Sequence, residues 1–204
     1  MNNRCVLAVI LSLSAPFAAV TAHAAGDAAA GRTKAMACAS CHGTDGNSAN
    51  PDWPSLAGQH AKYLAKQLAD FKSGDRSNPL MSPMVAPLSP QDIADIAAFY
   101  ASQPLTGGQA DPALVDAGEK LYRGGNASTG VAACMACHGP NGSGIPQANF
   151  PRLSGQHAAY TVAQLTAFRA GERANDAESM MRDIAARMSD AEIRAVASYI
   201  EGLY

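Results

Sequence analysis

Cys38-Ala39-Ser40-Cys41-His42 recurs in form as Cys134-Met135-Ala136-Cys137-His138, and these two stretches decide how the chain is organised. Both have the pattern Cys-x-x-Cys-His. The spacing suits covalent attachment of haem, because two thiols add to the two vinyl groups on one porphyrin edge while the adjacent imidazole binds iron. The motifs therefore predict two c-type haems. The attachment thiols are Cys38, Cys41, Cys134 and Cys137, and the first iron ligands are His42 and His138.

Two other uses of paired cysteines compete with this interpretation. A redox-active disulfide would be expected beside a βαβ pattern, and the sequence has no such pattern. A zinc site has suitable ligand types, but zinc does not require a histidine directly after each second cysteine. Haem is therefore the favoured cofactor, and zinc or a disulfide is the alternative.

The first residues are typical of an export signal. Arg4 precedes an apolar stretch, Cys5–Val20, and Ala22-His23-Ala24 fits the small-residue cleavage rule. We therefore expect residues 1–24 to be a cleaved signal peptide and the mature protein to be periplasmic. A membrane anchor is the alternative, but the apolar stretch falls short of the ~20 residues that a spanning helix needs.

The composition is that of a folded protein without a nucleic-acid partner. Hydrophobic residues make up 48% of the 204 residues, which supports a packed core. The formal net charge is −2, so there is no basic surplus to bind nucleic acid.

The two motifs lie in a duplicated unit. Trp53–His60 matches Phe150–His157, and Gly74-Asp75-Arg76 matches Gly171-Glu172-Arg173. Two copies are too few for a solenoid, so they predict tandem domains. We place these domains at residues 25–104 and 105–204, joined at a linker rich in Gly and Pro near residues 103–109.

Each copy predicts the same three longer helices and no strand. The expected ranges are Asp27–Ala37, Gln59–Lys72 and Pro90–Ser102 in the first copy, and Pro112–Arg123, Gln156–Arg169 and Asp190–Leu203 in the second. Ser89 and Ser189 are N-cap candidates, since each has an acidic residue three positions later. Gly31 and Gly118 are expected to let the first and last helices cross closely.

Methionine is the expected sixth iron ligand, because it fills this position in many small c-type cytochromes. The candidates are Met81, Met84, Met180, Met181 and Met188. When the copies are aligned on Ser89 and Ser189, only Met81 and Met181 coincide. These two are therefore the predicted ligands, and the other methionines are expected to pack in the core or around the pocket.

His60 and His157 also recur and offer bis-histidine ligation as an alternative. Because they begin a helix soon after the motif, a structural role is the favoured expectation for them. Other recurring polar or aromatic side chains could donate hydrogen bonds to haem propionates, although simple packing explains them equally well. These are Tyr63, Tyr160, Arg76, Arg173, Gln59, Gln156 and Trp53.

With these features assembled, the chain resembles the dihaem cytochrome c4 family over essentially its whole mature length. The resemblance rests on the paired Cys-x-x-Cys-His motifs, the Pro-x-Leu-x-Gly-Gln stretches, and a methionine eight residues before each Ser-capped helix. It implies an all-α fold of two tandem class I cytochrome c domains, related by a pseudo-twofold axis, with haems facing each other. It also implies that His42 pairs with Met81 and His138 with Met181, which agrees with the repeat.

The resemblance further implies a one-electron carrier that is not an enzyme. Its expected place is the respiratory chain, between the quinol-oxidising bc1 complex and a terminal oxidase. The expected protein is a monomer that meets redox partners transiently, and peripheral association with the membrane is compatible with this role. The alternatives are an electron-transfer subunit of a larger oxidoreductase, or a dihaem peroxidase-type enzyme with an open iron site.

Overall fold

A computed structural model describes residues 25–204, and this part of the chain is built from helices without any strand. The helices are α1 (Ala28–Lys34), α2 (Ala39–His42), α3 (Ala61–Ser73), α4 (Met81–Val85), α5 (Pro90–Ala101), α6 (Val115–Gly124), α7 (Met135–His138), α8 (Ala158–Ala170), α9 (Met180–Ala185) and α10 (Asp190–Glu201). The predicted signal peptide lies outside the described residues. Within residues 25–204 no helix has the length and apolar character needed to cross a bilayer.

The first and last long helices of each half cross at a glycine. Helix α1 packs on α5, and α6 packs on α10. A Cβ atom at Gly31 would lie 2.0 Å from the carbonyl oxygen of Asp95, and one at Gly118 would lie 2.3 Å from that of Ala195. Only glycine permits backbones this close, so the expectation for both residues is confirmed.

Capping boxes begin α5 and α10. The Ser89 hydroxyl accepts the Asp92 N–H at 3.1 Å, and the Asp92 carboxylate accepts the Ser89 N–H at 2.9 Å. Ser189 and Glu192 repeat the arrangement in the second half. Each box satisfies two backbone donors at a helix start, which confirms the predicted caps.

Each half has its own small core around its last helix. The first core contains Ala35, Leu64, Ile96, Ala97, Phe99 and Tyr100. The second contains Leu121, Tyr122, Val131, Met188, Ile193, Val196, Tyr199, Ile200 and Leu203. Cys38 packs against the first core and Cys134 against the second, so each haem motif is anchored to the core of its own half.

All six predicted long helices are present, with ends that differ by a few residues. The first breaks into a 3₁₀ turn at Ala35–Ala37 before Cys38. The second half has additional residues before its cysteines, Gly124–Ala132, and most of them are exposed. An Asn126–Val131 bridge closes this loop, and Val131 is buried in the second core.

Candidate haem sites

The histidines of both motifs end a one-turn helix, α2 or α7. The Nδ1 atom of His42 lies 2.9 Å from the carbonyl oxygen of Pro54, and Nδ1 of His138 lies 2.9 Å from that of Pro151. Because a carbonyl oxygen only accepts, each Nδ1 carries the proton and donates. Each Nε2 therefore keeps its lone pair for a metal, in the arrangement that orients a ligating histidine.

Both imidazoles are buried, with 6% of His42 and 7% of His138 exposed. Burial lowers the pKa of each ring and outweighs the opposing effect of the hydrogen bond to the proline carbonyl. The rings are therefore neutral near neutral pH, and a neutral imidazole is the form that binds a metal.

The cysteines of both motifs are free, and the first of each pair faces inward. Burial raises the pKa of the Cys38 thiol, and burial raises that of Cys134 to about 11. Cys41 is exposed. The first motif thus has one thiol against the core and one exposed, whereas both thiols of the second motif are partly buried.

Met81 begins α4, and Met181 lies in the first turn of α9. An Asx side chain holds the backbone of each: Asn78 Oδ1 accepts the Met81 N–H at 3.0 Å, and Asp176 Oδ2 accepts the Met181 N–H at 2.9 Å. Sequence reasoning missed both anchors. More residues separate Arg173 from Met181 than separate Arg76 from Met81. Asn78 and Asp176 therefore do not coincide when the two copies are aligned.

The other candidate methionines have different surroundings. Met84 is 45% exposed, and Met180 is also exposed. Met188 is only 5% exposed and is a member of the second core, as expected for a packing residue. Among the five candidates, Met81 and Met181 alone share a half-buried position and an anchored backbone.

His60 and His157 reach across to the opposite half of the molecule. Nε2 of His60 lies 2.8 Å from the Ser143 carbonyl oxygen, and Nε2 of His157 lies 2.9 Å from that of Ser48. Both side chains therefore take part in contacts between the halves. This geometry supports the structural role and gives no support to bis-histidine ligation.

Two glutamines join the halves in a reciprocal contact. The Gln59 side chain donates to the Arg152 carbonyl oxygen at 2.8 Å and accepts the Arg152 N–H at 2.9 Å. Gln156 does the same with Ser55, at 2.9 Å for both bonds. The symmetry of these contacts agrees with a pseudo-twofold axis between the halves. Both amides are thereby used in the interface.

A second set of reciprocal contacts surrounds two arginines, each lying over a phenylalanine ring of its own half. Arg76 donates to the Tyr160 hydroxyl at 3.0 Å, and Arg173 donates to the Tyr63 hydroxyl at 3.0 Å. Burial alone would raise the pKa of Tyr160, but the two guanidiniums outweigh burial and hold that pKa below its usual value. The cluster places two guanidiniums between the halves, where they suit anionic propionates.

One contact between the halves has no counterpart in the duplicate. Asn175 donates to Gln67 Oε1 at 2.9 Å and to the Asp70 carboxylate at 2.5 Å, while Lys66 donates to the Asn175 carbonyl oxygen at 2.9 Å. The positions of Lys66 and Asp70 are occupied by alanine in the second copy. The two halves are therefore alike but not equivalent.

The donor set of each half fits a covalently held haem. In each half a pair of free cysteines precedes a neutral, oriented imidazole, and a methionine with a hydrogen-bonded backbone is available. A structural zinc site needs four ligands, and within residues 25–204 no group of three or more His, Cys, Asp or Glu side chains comes together.

Comparison with known proteins identifies the family. The cytochrome c family model matches residues 28–103 and 115–203. Cytochrome c4 of Pseudomonas aeruginosa is 53% identical over 184 residues, which cover 90% of this chain and 92% of that protein. The crystal structure of reduced recombinant cytochrome c4 from Pseudomonas stutzeri superposes with a TM-score of 0.86 at 51% identity, and covers 88% of this chain and 100% of that one.

A further relative carries a different description. The thiosulfate dehydrogenase electron acceptor of Stutzerimonas stutzeri is 45% identical over 169 residues, which cover 81% of this chain and 78% of that protein. The all-α fold with two tandem cytochrome c domains, expected from the sequence, is confirmed. The chain belongs to the dihaem cytochrome c4 family, as an electron-transfer protein, not an enzyme, with two covalently bound haem c groups.

Proposed function

We propose that this protein is a periplasmic one-electron carrier of respiration, which accepts electrons from a bc1-type complex and passes them to a terminal oxidase. Cys38 and Cys41 hold one haem, whose iron binds His42 and Met81. Cys134 and Cys137 hold the other, whose iron binds His138 and Met181. The single observation that carries the assignment is the matched geometry of the two imidazoles, each buried and oriented by a proline carbonyl.

Haem iron supplies a one-electron change between its ferric and ferrous states. The protein contributes the axial ligands and the buried pocket around them. In each half the Nδ1–H bond orients the imidazole, and the hydrogen bond to the methionine backbone would help to place the thioether that we assign as the second ligand. With an imidazole and a thioether of the chain bound to each iron, a haem held here would offer small molecules no open site, which favours electron transfer over catalysis.

Contact with partners is expected where a haem edge comes near the surface. Met36, two residues before Cys38, is 73% exposed, and Cys41 is exposed as well. An exposed apolar side chain beside the attachment site suits the small, transient interfaces of redox partners.

The ligand assignment is tested by the weak near-infrared charge-transfer band of methionine-ligated ferric haem. Met81→Ala and Met181→Ala should each halve this band, because each removes one of two equivalent ligands. Met84→Ala and Met180→Ala are the matched controls and should leave the band unchanged. Loss of the band in the Met84 variant instead of the Met81 variant would refute the alignment of the two copies.

Carbon monoxide provides the second test. The reduced protein should show no fast spectral change with carbon monoxide, whereas Met81→Ala should bind it at one haem. Rapid binding to one haem of the unmodified protein would mean that an iron site is open, and would contradict the closed-site proposal.

A second role has a specific observation in its favour. The 45% identity to a thiosulfate dehydrogenase electron acceptor suggests that this chain could accept electrons from a sulfur-oxidising enzyme instead. The two roles are separated by stopped-flow reduction of the haem-loaded protein with each purified donor. Reduction by a thiosulfate dehydrogenase that is much faster than reduction by the bc1 complex would favour the second role.

A further inference from the structure

The hydroxyl of Tyr100 is a buried polar group without a hydrogen-bond partner. Tyr100 lies in α5 with 1% of its surface exposed, and its hydroxyl is one of two such unpaired side-chain atoms among residues 25–204. Leaving a buried hydroxyl unpaired is unfavourable, so an unpaired hydroxyl in a native core calls for an explanation.

The Tyr100 ring is held in place, and it belongs to the core cluster against which Cys38 packs. A Cβ atom at Gly46 would lie 2.7 Å from Tyr100 Cδ1, so the backbone of the loop after the motif presses on the ring. Cys38 packs against the core that contains Tyr100. Burial raises the pKa of both groups; Cys38 raises that of Tyr100 further, whereas Tyr100 lowers that of Cys38, so the two groups are neighbours. The hydroxyl nevertheless has no hydrogen-bond partner in this structure.

In the second half the corresponding tyrosine lies on another helix. Aligned on Ser89 and Ser189, Tyr100 corresponds to Ile200; aligned on Gly31 and Gly118, Ala35 corresponds to Tyr122. At this pair of positions each half therefore combines a buried tyrosine with a smaller side chain, but the tyrosine comes from the last helix in the first half and from the first helix in the second.

The two hydroxyls consequently face different partners. The Tyr122 hydroxyl donates to the Gly139 carbonyl oxygen at 2.7 Å, so its hydrogen is directed at the backbone. The Tyr100 hydroxyl has no such acceptor and remains available to the sulfur of Cys38. This is a difference between the two haem pockets that the duplicated motif does not reveal.

We infer that in the haem-loaded protein the Tyr100 hydroxyl donates a hydrogen bond to the Cys38 sulfur and raises the reduction potential of the first-half haem. The physical reason is that the positive end of the O–H dipole stabilises the state that holds the additional electron. Tyr100 is thus a positioning residue that makes the two haems inequivalent. The inference rests on the proposed attachment of haem to Cys38.

The test is a redox titration of the Tyr100→Phe variant. The readout is the NMR signals of the haem methyl groups, which are assigned separately to each half. The electron-exchange equilibrium between the two haems should move away from the first haem by roughly threefold to tenfold, where tenfold corresponds to about 59 mV. Tyr100→Ile, the side chain that the second half uses, should move the equilibrium in the same direction.

Tyr122→Phe is the matched control, since it removes an equally buried hydroxyl that is already bonded to the backbone. It should lower the unfolding temperature while leaving the exchange equilibrium within about twofold of the unmodified value. Equal shifts of both haems in the two phenylalanine variants, or no shift in Tyr100→Phe, would overturn the inference.

A vibrational measurement separates a hydrogen bond from a packing effect. The carbon–sulfur stretching band of the first haem in the resonance Raman spectrum should shift between water and heavy water in the unmodified protein, and this shift should vanish in Tyr100→Phe. Mass spectrometry of the tryptic peptide with Cys38 reports haem attachment independently. A peptide without haem would contradict the proposed function, whereas attached haem with unmoved potentials would contradict only the role of Tyr100.

Discussion

Replacing one interface glutamine by alanine should lower the free energy of unfolding, because it weakens the contact between the two halves. Gln156→Ala deletes both hydrogen bonds to Ser55 and a third, at 3.1 Å, from the His157 N–H to Gln156 Oε1. A typical protein hydrogen bond contributes about 1 kcal/mol net, so the three together give about 3 kcal/mol. Ser55 is buried, which adds the penalty of an unpaired N–H, while water entering the gap offsets part of it. We expect a loss of about 2–4 kcal/mol.

The assay is equilibrium unfolding of the haem-loaded protein in urea, followed by far-ultraviolet circular dichroism and by haem absorbance. Gln147→Ala is the matched control, because Gln147 is exposed in the same half and should lose less than about 0.5 kcal/mol. Gln59→Ala removes the equivalent bonds to Arg152 and His60, so it should match Gln156→Ala.

The double variant tests whether the two glutamines stabilise one shared interface. If Gln156→Ala already loosens the halves, adding Gln59→Ala should lose less than the sum of the single losses, and the unfolding curve should become biphasic. A loss below about 0.5 kcal/mol in both single variants would refute the reasoning, since it would mean that the observed bonds contribute no net stability.

Three further predictions follow from single sites. Gly31→Ala should destabilise the protein by more than about 2 kcal/mol, because its Cβ would overlap the facing backbone; Gly124→Ala, whose Cβ meets nothing within 4 Å, should be neutral or stabilising in the same thermal melt. Ser189→Ala should lose about 1 kcal/mol and Ser189→Gly only a few tenths, and equal losses would argue against the cap. Hydrogen bonds from Lys34 lower the pKa of its two aspartate partners, so their contribution to stability is complete above about pH 4 and is lost as the pH falls below it. Lys34→Met should therefore flatten the acid side of the stability curve measured by urea unfolding, and an unchanged acid side would count against the ion pairs.

The features that could be predicted from the sequence are those with a local cause. The haem motifs have a spacing imposed by covalent chemistry, and the helix caps depend on residues three positions apart, as at Ser89 and Asp92. The long helices have enough turns for an apolar face to recur. These expectations needed no knowledge of distant contacts, and the structure confirms the caps and the long helices.

The features that could not be predicted depend on length or on distant residues. Helices α2, α4, α7 and α9 span only four to six residues, too few for a helical period to be recognised. The bond from Gln156 to Ser55 joins residues 101 positions apart and has no local pattern. Repeat matching drew attention to Gln59 and Gln156, but without the fold it could not distinguish a haem contact from a contact between the halves.

The likeness of the two halves has two separate physical origins. Residues such as His42 and His138 recur because each half must hold a haem of its own. Gln59 and Gln156 recur for a different reason: in a twofold contact the same surface serves both partners, so each half must present the side chain that the other receives. Positions subject to neither constraint are free to differ. One such position is occupied by Tyr100 in the first half and by Ile200 in the second. A carrier with two haems of equal potential has no preferred direction of internal electron flow. We therefore infer that a preferred direction of electron flow comes from the positions at which the two copies differ.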